Sequence, residues 1–343
     1  MQPDEIRQRA LHRVSQPFET RDVSELARRL ASAKPPATPA DRADLAAILA
    51  RTAFLEPDRT GEVYDALALG WLGRPVKAAP LGTLSLAPIE APAGLFEAWW
   101  AVAEDLAAGK LDALAVTQRT AALGGLLPKA FEVRVAEMSY LWPGVREVAG
   151  RPLPEHVRLE DIAACPPGSL GRAFHDLIVD NKFDLEVLDR NAIGLSKLEK
   201  PLDYLNTRIL QSHDLWHITA GYETTSLHEL AISAFQLAQF GHSYSAQFLS
   251  VSAATGALSP AFAWPVLMDT MTSAWVHGRE TPPVITIEWE KLWHLTPQQI
   301  RGRYGIRPYR RPWRADIVEN RRPLRDTLTL LRRALLPPRI AAH

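Results

Sequence analysis

Apolar positions recur at three- and four-residue steps along most of this chain, which is the signature of helices with one buried face. Asp41 to Leu55 (DRADLAAILARTAFL) has an acidic start and such a repeat, so it predicts a helix. Glu62 to Leu72 reads the same way and meets Gly73, a natural helix stop. Leu95 to Gly109 and Leu111 to Leu123 are Ala/Leu-rich helices, and Ala130 to Leu141 is another that stops before Pro143. Alternating patterns are rare. The best short strand run is Val284 to Ile287 (VITI), between Pro283 and Glu288. The expected fold is all-α, bundle-like, with a helix–turn–helix that carries a candidate metal site.

Proline clusters at Pro35, Pro36 and Pro39, at Pro75, Pro80, Pro88 and Pro92, and at Pro166 and Pro167. These divide the chain near 35–40, 73–94 and 150–168. The resulting plan is a helical N-terminal region, 1–150, a helical core, 151–306, and a C-terminal tail, 307–343. The N-terminal region holds no concentrated set of chemical groups and reads as scaffold.

Leu230 to Val276 spans 47 residues with one charged side chain, Asp269. It is dense in Ala, Ser, Gly and Thr. Gly241, Gly256, Pro260 and Pro265 should cut it into about three helices. Helices apolar on all sides are usually buried. The competing expectation is an apolar groove for an isoprenoid or acyl chain.

Composition is that of an ordinary globular protein: 343 residues, 47% hydrophobic and 23% charged, with one cysteine, Cys165. That excludes an internal disulfide and any multi-cysteine zinc ribbon. Formal net charge is zero, so the whole chain is not patterned for nucleic acid. The zero conceals an asymmetry. Arg301 to His343 has twelve Arg, no Lys and three acidic residues, so it is strongly basic and suits anionic lipid or the acidic remainder of the fold. No run reaches a membrane-spanning length, and Met1 to Ala10 has no apolar signal core. The expectation is a cytoplasmic protein, with contact at a membrane surface left open.

The segment that carries chemistry is Gln211 to Leu230, QSHDLWHITAGYETTSLHEL. On a helix His213 and His217 stand one turn apart, with Asp214 on the same face and Leu215 on the core side. Two imidazoles at this spacing can grip one divalent cation. Glu229 can join them only if the helix breaks near Gly221, because a continuous helix would put it ~18 Å along the axis from His217. Ser226-Leu-His-Glu229 also fits a capping box, in which Glu229 serves a backbone amide instead. His228 is an alternative ligand. Nitrogen and oxygen ligands without thiolate suit zinc, iron, manganese or cobalt, with zinc the leading expectation.

These residues carry a family resemblance. His213-Asp214-x-x-His217, then eleven residues, then Glu229 resembles the H-D-x-x-H-x(11)-E signature of the coenzyme Q (ubiquinone) biosynthesis protein 4 family. Pro167-Gly-Ser-Leu-Gly-Arg172 resembles the run upstream of that motif. Gly278-Arg279, Pro282, Glu290, Trp293 and Gly305-Ile306 resemble its downstream block. The similarity runs from about Pro166 to Ile306. Residues 73–130 look like an insertion, and the arginine-rich tail is longer than the family core needs.

The resemblance implies a helical homodimer that touches a membrane peripherally, at the inner (cytoplasmic) membrane. It implies a divalent metal held by His213, Asp214, His217 and Glu229. It implies oxidative decarboxylation, with hydroxylation at ring carbon 1, of a polyprenylated 4-hydroxybenzoate, in company with other ubiquinone biosynthesis enzymes and without nucleic acid. Arg172 and Arg279 are candidates for the substrate carboxylate, since a guanidinium offers it a planar fork. His175 and Asp176 are candidate supporting groups. Two other readings compete. One is a non-catalytic prenyl-lipid-binding scaffold that organises the pathway's enzymes. The other is a phosphohydrolase, with His175 and Asp269 completing a metal set around the His213-Asp214 pair.

Overall fold

A computed structural model describes residues 2–32, 37–84, 86–181, 185, 191 and 194–318. Its α-helices, in chain order, are α1 (Pro3–Ser15), α2 (Thr20–Ala31), α3 (Pro39–Leu55), α4 (Thr60–Leu72), α5 (Leu95–Ala107), α6 (Ala113–Gly124), α7 (Lys129–Ser139) and α8 (Val145–Val148). They continue with α9 (Leu159–Ala163), α10 (Leu170–Asn181), α11 (Leu202–Ala220), α12 (Ser226–Phe240), α13 (Ser243–Leu258), α14 (Ala263–Glu280) and α15 (Pro297–Tyr304). Among the described residues there is no strand, so the fold is all-α.

The helix ends follow local chemistry. Thr38 caps α3: its Oγ1 accepts from the Asp41 N–H (3.1 Å), Asp41 reaches back to the Thr38 N–H, and Pro39 occupies the first turn, where no N–H is missed. Helices α4, α11, α12 and α15 each run out at a glycine in the left-handed region, Gly73, Gly221, Gly241 and Gly305.

The apolar stretch from 230 is the centre of the molecule. α12 lies against α14, and α13 lies against α3, α5 and α6. Leu249, Val251, Ala253 and Ala254 on α13 are wholly buried, as are Leu45, Ala46, Ala47 and Leu49 on α3. The small residues have a mechanical reason. A Cβ at Gly278 would stand 2.8 Å from the Phe235 carbonyl and 2.6 Å from the Ala238 Cβ, so glycine lets α14 approach α12 closely. Burial accounts for this composition, and an apolar groove is not needed to explain it. Arg42 on α3 closes the far end of α13 by donating to the Gly256 and Ser259 carbonyls (3.0 Å each), which lack helical partners.

Three expectations about breaks and strands are corrected. Gly256 lies inside α13, and Pro265 sits in the first turn of α14, where its missing N–H costs nothing. Val284–Thr286 is a buried 3₁₀ turn. The Val284 N–H donates to the Gln239 side chain (3.0 Å), so this run takes its hydrogen bond from α12 and not from a sheet.

One hydrophobic cluster runs from Ile6 to Trp313, so the N-terminal helices and the 151–306 region share a core. α5 and α6, within the apparent insertion, pack on α13, and Trp99 and Trp100 of α5 are wholly buried. From Ile306 to Val318 the chain runs without helix. Most of the arginine-rich tail, 319–343, lies outside the described residues. No described helix is long and apolar enough to cross a membrane.

Candidate metal centre

Leu215 and Trp216 bury themselves on the core side of α11. That turns the other face, with His213, Asp214 and His217, toward α12. The helix stops where sequence reasoning required: Gly221 takes φ 80°. The His217 carbonyl then accepts from both the Gly221 N–H (3.1 Å) and the Tyr222 N–H (3.0 Å). After four residues Thr225 starts α12, its hydroxyl accepting from the His228 N–H. The cap is therefore Thr225, one residue before the Ser226 expected. Glu229 falls beyond the capping-box position, and its carboxylate serves the imidazoles instead.

The turn converts a sequence separation into a site. Glu229 Oε1 lies 3.3 Å from His217 Nε2, and Glu229 Oε2 lies 3.7 Å from His213 Nε2. The two rings stand 4.8 Å apart, edge to face. His213, Asp214 and His217 offer one ligand atom each, all within 4.8 Å of one another, and Glu229 reaches the imidazoles from the second helix. The opposite ring nitrogens are held. His217 Nδ1 donates to the Tyr222 carbonyl (3.3 Å) and His213 Nδ1 to Asp214 Oδ1 (3.2 Å). Both Nε2 atoms thus face Glu229, and with Nδ1 occupied they are the nitrogens left to ligate a metal, His217 once its Nε2 proton is lost.

Burial and charge compete here. Burial lowers the His213 pKa, and the neighbouring His217 lowers it further, outweighing the carboxylates. Burial also acts to lower His217, but its hydrogen bond and charge attraction to Glu229 prevail, and its pKa is raised. Burial would raise Glu229; the hydrogen bond from His217 and the imidazole charges prevail and lower it. Glu229 is therefore ionised beside His217, and a cation bound there displaces the His217 proton. Nitrogen and oxygen donors, a pre-set tautomer and an ionised carboxylate suit zinc or a similar divalent ion.

Sequence reasoning missed the surroundings. His242, at the start of α13, lies within electrostatic reach of His213; burial and that neighbour push its pKa down to about 4. Its ring packs near Tyr244 (5.9 Å). Tyr244 lies close to Thr117 of α6 and within reach of Glu229's charge, so the apparent insertion approaches the surroundings of the candidate site. Behind His217, the Tyr222 hydroxyl donates to His277 Nδ1 (2.7 Å), and His277 Nε2 donates to the Arg307 carbonyl (2.6 Å). These residues have no repeat spacing or local motif, so no sequence signal marked them.

Other nominated residues are engaged elsewhere. Arg279 is buried and serves the α4–α14 contact, pairing with Asp65 (3.3 and 3.4 Å) and donating to the Ala79 carbonyl (2.7 Å). Arg172 pairs with Asp176 (2.8 Å), which also meets His175 (3.0 Å). His228 Nδ1 accepts from the Glu223 N–H (2.6 Å). Asp269 accepts from Trp71 and Trp313 (3.0 Å each). The ligand group found among the described residues takes in neither His175, His228 nor Asp269. A depression of about 480 Å³ lies between α1, α3 and residues 88–97, and one of about 380 Å³ beside α7 and Lys200. Neither includes a residue of the metal centre.

Residues 149–310 match the sequence model of the family described as coenzyme Q (ubiquinone) biosynthesis protein Coq4. The ubiquinone biosynthesis protein COQ4 homolog, mitochondrial, of Drosophila ananassae is 28% identical over 148 residues, 42% of this chain and 53% of the relative. The Danio rerio homolog is 27% identical over 150 residues, 43% of this chain and 53% of the relative. The chain thus spans about half the length of the curated relatives it matches. A crystal structure of a candidate ubiquinone biosynthesis protein from Nostoc punctiforme overlaps with a TM-score of 0.47 at 23% identity, covering 62% of this chain and 96% of that one.

Proposed function

We propose, from the match of residues 149–310 to the coenzyme Q (ubiquinone) biosynthesis protein Coq4 family, that this chain works in ubiquinone biosynthesis as a metal-dependent oxidative decarboxylase. Its substrate is a polyprenylated 4-hydroxybenzoate. The bond from ring carbon 1 to the carboxylate breaks and the carboxylate leaves as CO₂, a hydroxyl from water takes that position, and dioxygen accepts the two electrons and leaves as hydrogen peroxide. The observation that carries the reading is the turn at Gly221, which brings Glu229 of α12 onto the Nε2 atoms of His213 and His217 of α11.

His213, Asp214, His217 and Glu229 hold the ion. A divalent cation supplies Lewis acidity there, stabilising negative charge on a substrate oxygen. The chain's own groups do the rest. The Tyr222 carbonyl and Asp214 keep the two imidazoles in the ligating tautomer. Half-exposed Glu229 and His213, with side chains 46% and 28% accessible, leave the centre open on one side for a bulky lipid head. His242, neutral above about pH 4, and Tyr244, kept protonated by burial, are polar groups beside that opening. Arg172, on the surface and held among the described residues by Asp176, can exchange that partner for a substrate carboxylate. Arg279 is committed to Asp65 and is not part of the proposal. The prenyl tail stays at the membrane surface, where the protein acts as a peripheral homodimer beside other enzymes of the pathway.

The test uses one purified sample. Elemental analysis comes first, then incubation with a short-chain prenylated 4-hydroxybenzoate under oxygen, with CO₂ loss and ring hydroxylation followed by mass spectrometry. Bound metal and product, both lost in Glu229→Ala, support the reading. Metal without product would transfer the protein to the scaffold role, and a metal-free protein would end the metal reading.

A further inference from the structure

We propose that residues 305–318 form a strap across the metal-bearing turn, and that Tyr309, Tyr222 and His277 are positioning residues that set His217 for the cation. The inference rests on the metal centre described above and goes beyond it, because none of these side chains touches the ion.

The turn at 221–225 is tied down by the strap as well as by its own bonds to His217. The Tyr309 N–H donates to the Ala220 carbonyl (2.8 Å), and Arg301 of α15, just before the strap, donates to the Thr219 and Ile218 carbonyls (2.8 Å each). These last carbonyls of α11 have no helical partners, so α15 and the strap together close the helix end. Pro308 lies over Gly221, where a Cβ would come within 3.2 Å of it. Thr225 donates to the Ala315 carbonyl (2.9 Å), and Arg311 pairs with Glu223. Both ends of the turn are thereby tied to one segment.

The aromatic contacts carry that order to the ligand. Tyr309 stacks on Tyr222, with ring centroids 4.7 Å apart and planes at 24°. The Tyr222 hydroxyl is fixed by His277, and His277 by the strap carbonyl of Arg307. The backbone of that same Tyr222 is bonded twice to His217, through its N–H to the His217 carbonyl and through its carbonyl to His217 Nδ1. Side chain and backbone of one residue therefore couple the strap to the imidazole. A metal ligand whose second nitrogen is held by a fixed carbonyl keeps its ring orientation, and loss of such support commonly weakens metal binding about 10–100-fold.

The experiment measures zinc affinity of the full chain by competition with a chromophoric chelator, alongside thermal stability. Tyr309→Ala should bind zinc about 10–100-fold more weakly. Tyr309→Phe keeps the stack and should bind like the unaltered protein. Tyr222→Phe deletes one hydroxyl, folds without difficulty, and should weaken binding about fivefold, the value of one hydrogen bond. Leu249→Ala, in the core of α13, should lower stability and leave zinc affinity unchanged. Unaltered affinity in both Tyr309→Ala and Tyr222→Phe would overturn the strap while sparing the metal centre. A loss in Leu249→Ala equal to that in Tyr309→Ala would reduce the strap to general stability. Failure of the unaltered chain to bind zinc would overturn the metal centre and the strap together.

Discussion

Two helix pairs in this protein solve opposite problems. α3 and α13 face each other with Ala, Leu and Ser, nearly all of it buried on both helices. α11 and α12 meet with two histidines, an aspartate and a glutamate between them. The first pair gains stability from every contact, because apolar area leaves water at about 25 cal/mol per Å². The second removes titratable groups from water, which costs energy unless they pair. The cost is contained by mutual pairing and by fixed backbone acceptors, and the arrangement left behind is the proposed cation site. One region is built for burial, and the other spends some stability on chemistry. The difference also explains why His217 is nearly inaccessible while Glu229 is half exposed: the ligands span the border between core and solvent.

The comparison can be broken most sharply at the ligands. His217→Ala should remove bound metal from the purified protein and reduce turnover to background, a loss beyond the ~100-fold that supporting groups cost. Melting temperature should change little by comparison. Elemental analysis and product assay read this out, and a metal-loaded His217→Ala would undo the contrast. In the apolar pair the effect reverses. Leu249→Ala leaves a cavity and should cost about 2–5 kcal/mol in denaturant unfolding, with metal content retained. Gly278→Val forces α14 off α12 and should cost about 1–3 kcal/mol, read by the same unfolding curve.

A pH series sharpens the border between the regions. His242 has its pKa lowered from 6.5 to about 4 in the folded protein. The unfolded chain binds that proton first as pH falls, so stability drops between pH 6.5 and 4. His242→Gln should flatten that part of the melting-temperature profile; an unchanged slope would place the titration elsewhere. The smallest effect is expected at Arg172→Ala. Its pairing with Asp176 is at the surface and is worth about 0–1 kcal/mol. A rise in KM with little change in melting temperature would assign the guanidinium to the substrate carboxylate.

Much of the fold was legible because helices declare themselves locally. The predicted starts and stops at 41–55, 62–72, 95–109, 111–123 and 130–141 each fall within a few residues of α3 to α7. The His213, Asp214, His217 and Glu229 grouping was legible for a related reason. Its spacing is helical, and a glycine sits where the chain must reverse. Expectations failed where context overrides local chemistry. Pro265 does not break a helix at its first turn, VITI finds no neighbouring strand, and Arg279 finds Asp65 on a helix more than two hundred residues earlier in the chain.

Periodicity, caps and the x(11) spacing are short-range properties, and they specified an all-α chain with two imidazoles and two carboxylates near one turn. The partners of those groups were settled by folding alone. Tyr222, His277 and Tyr309 come from three separate segments, and α6 reaches Tyr244 across more than a hundred residues. Such contacts arise from the packing of whole helices around one core. No residue's immediate neighbours encode which distant side chain that packing will deliver.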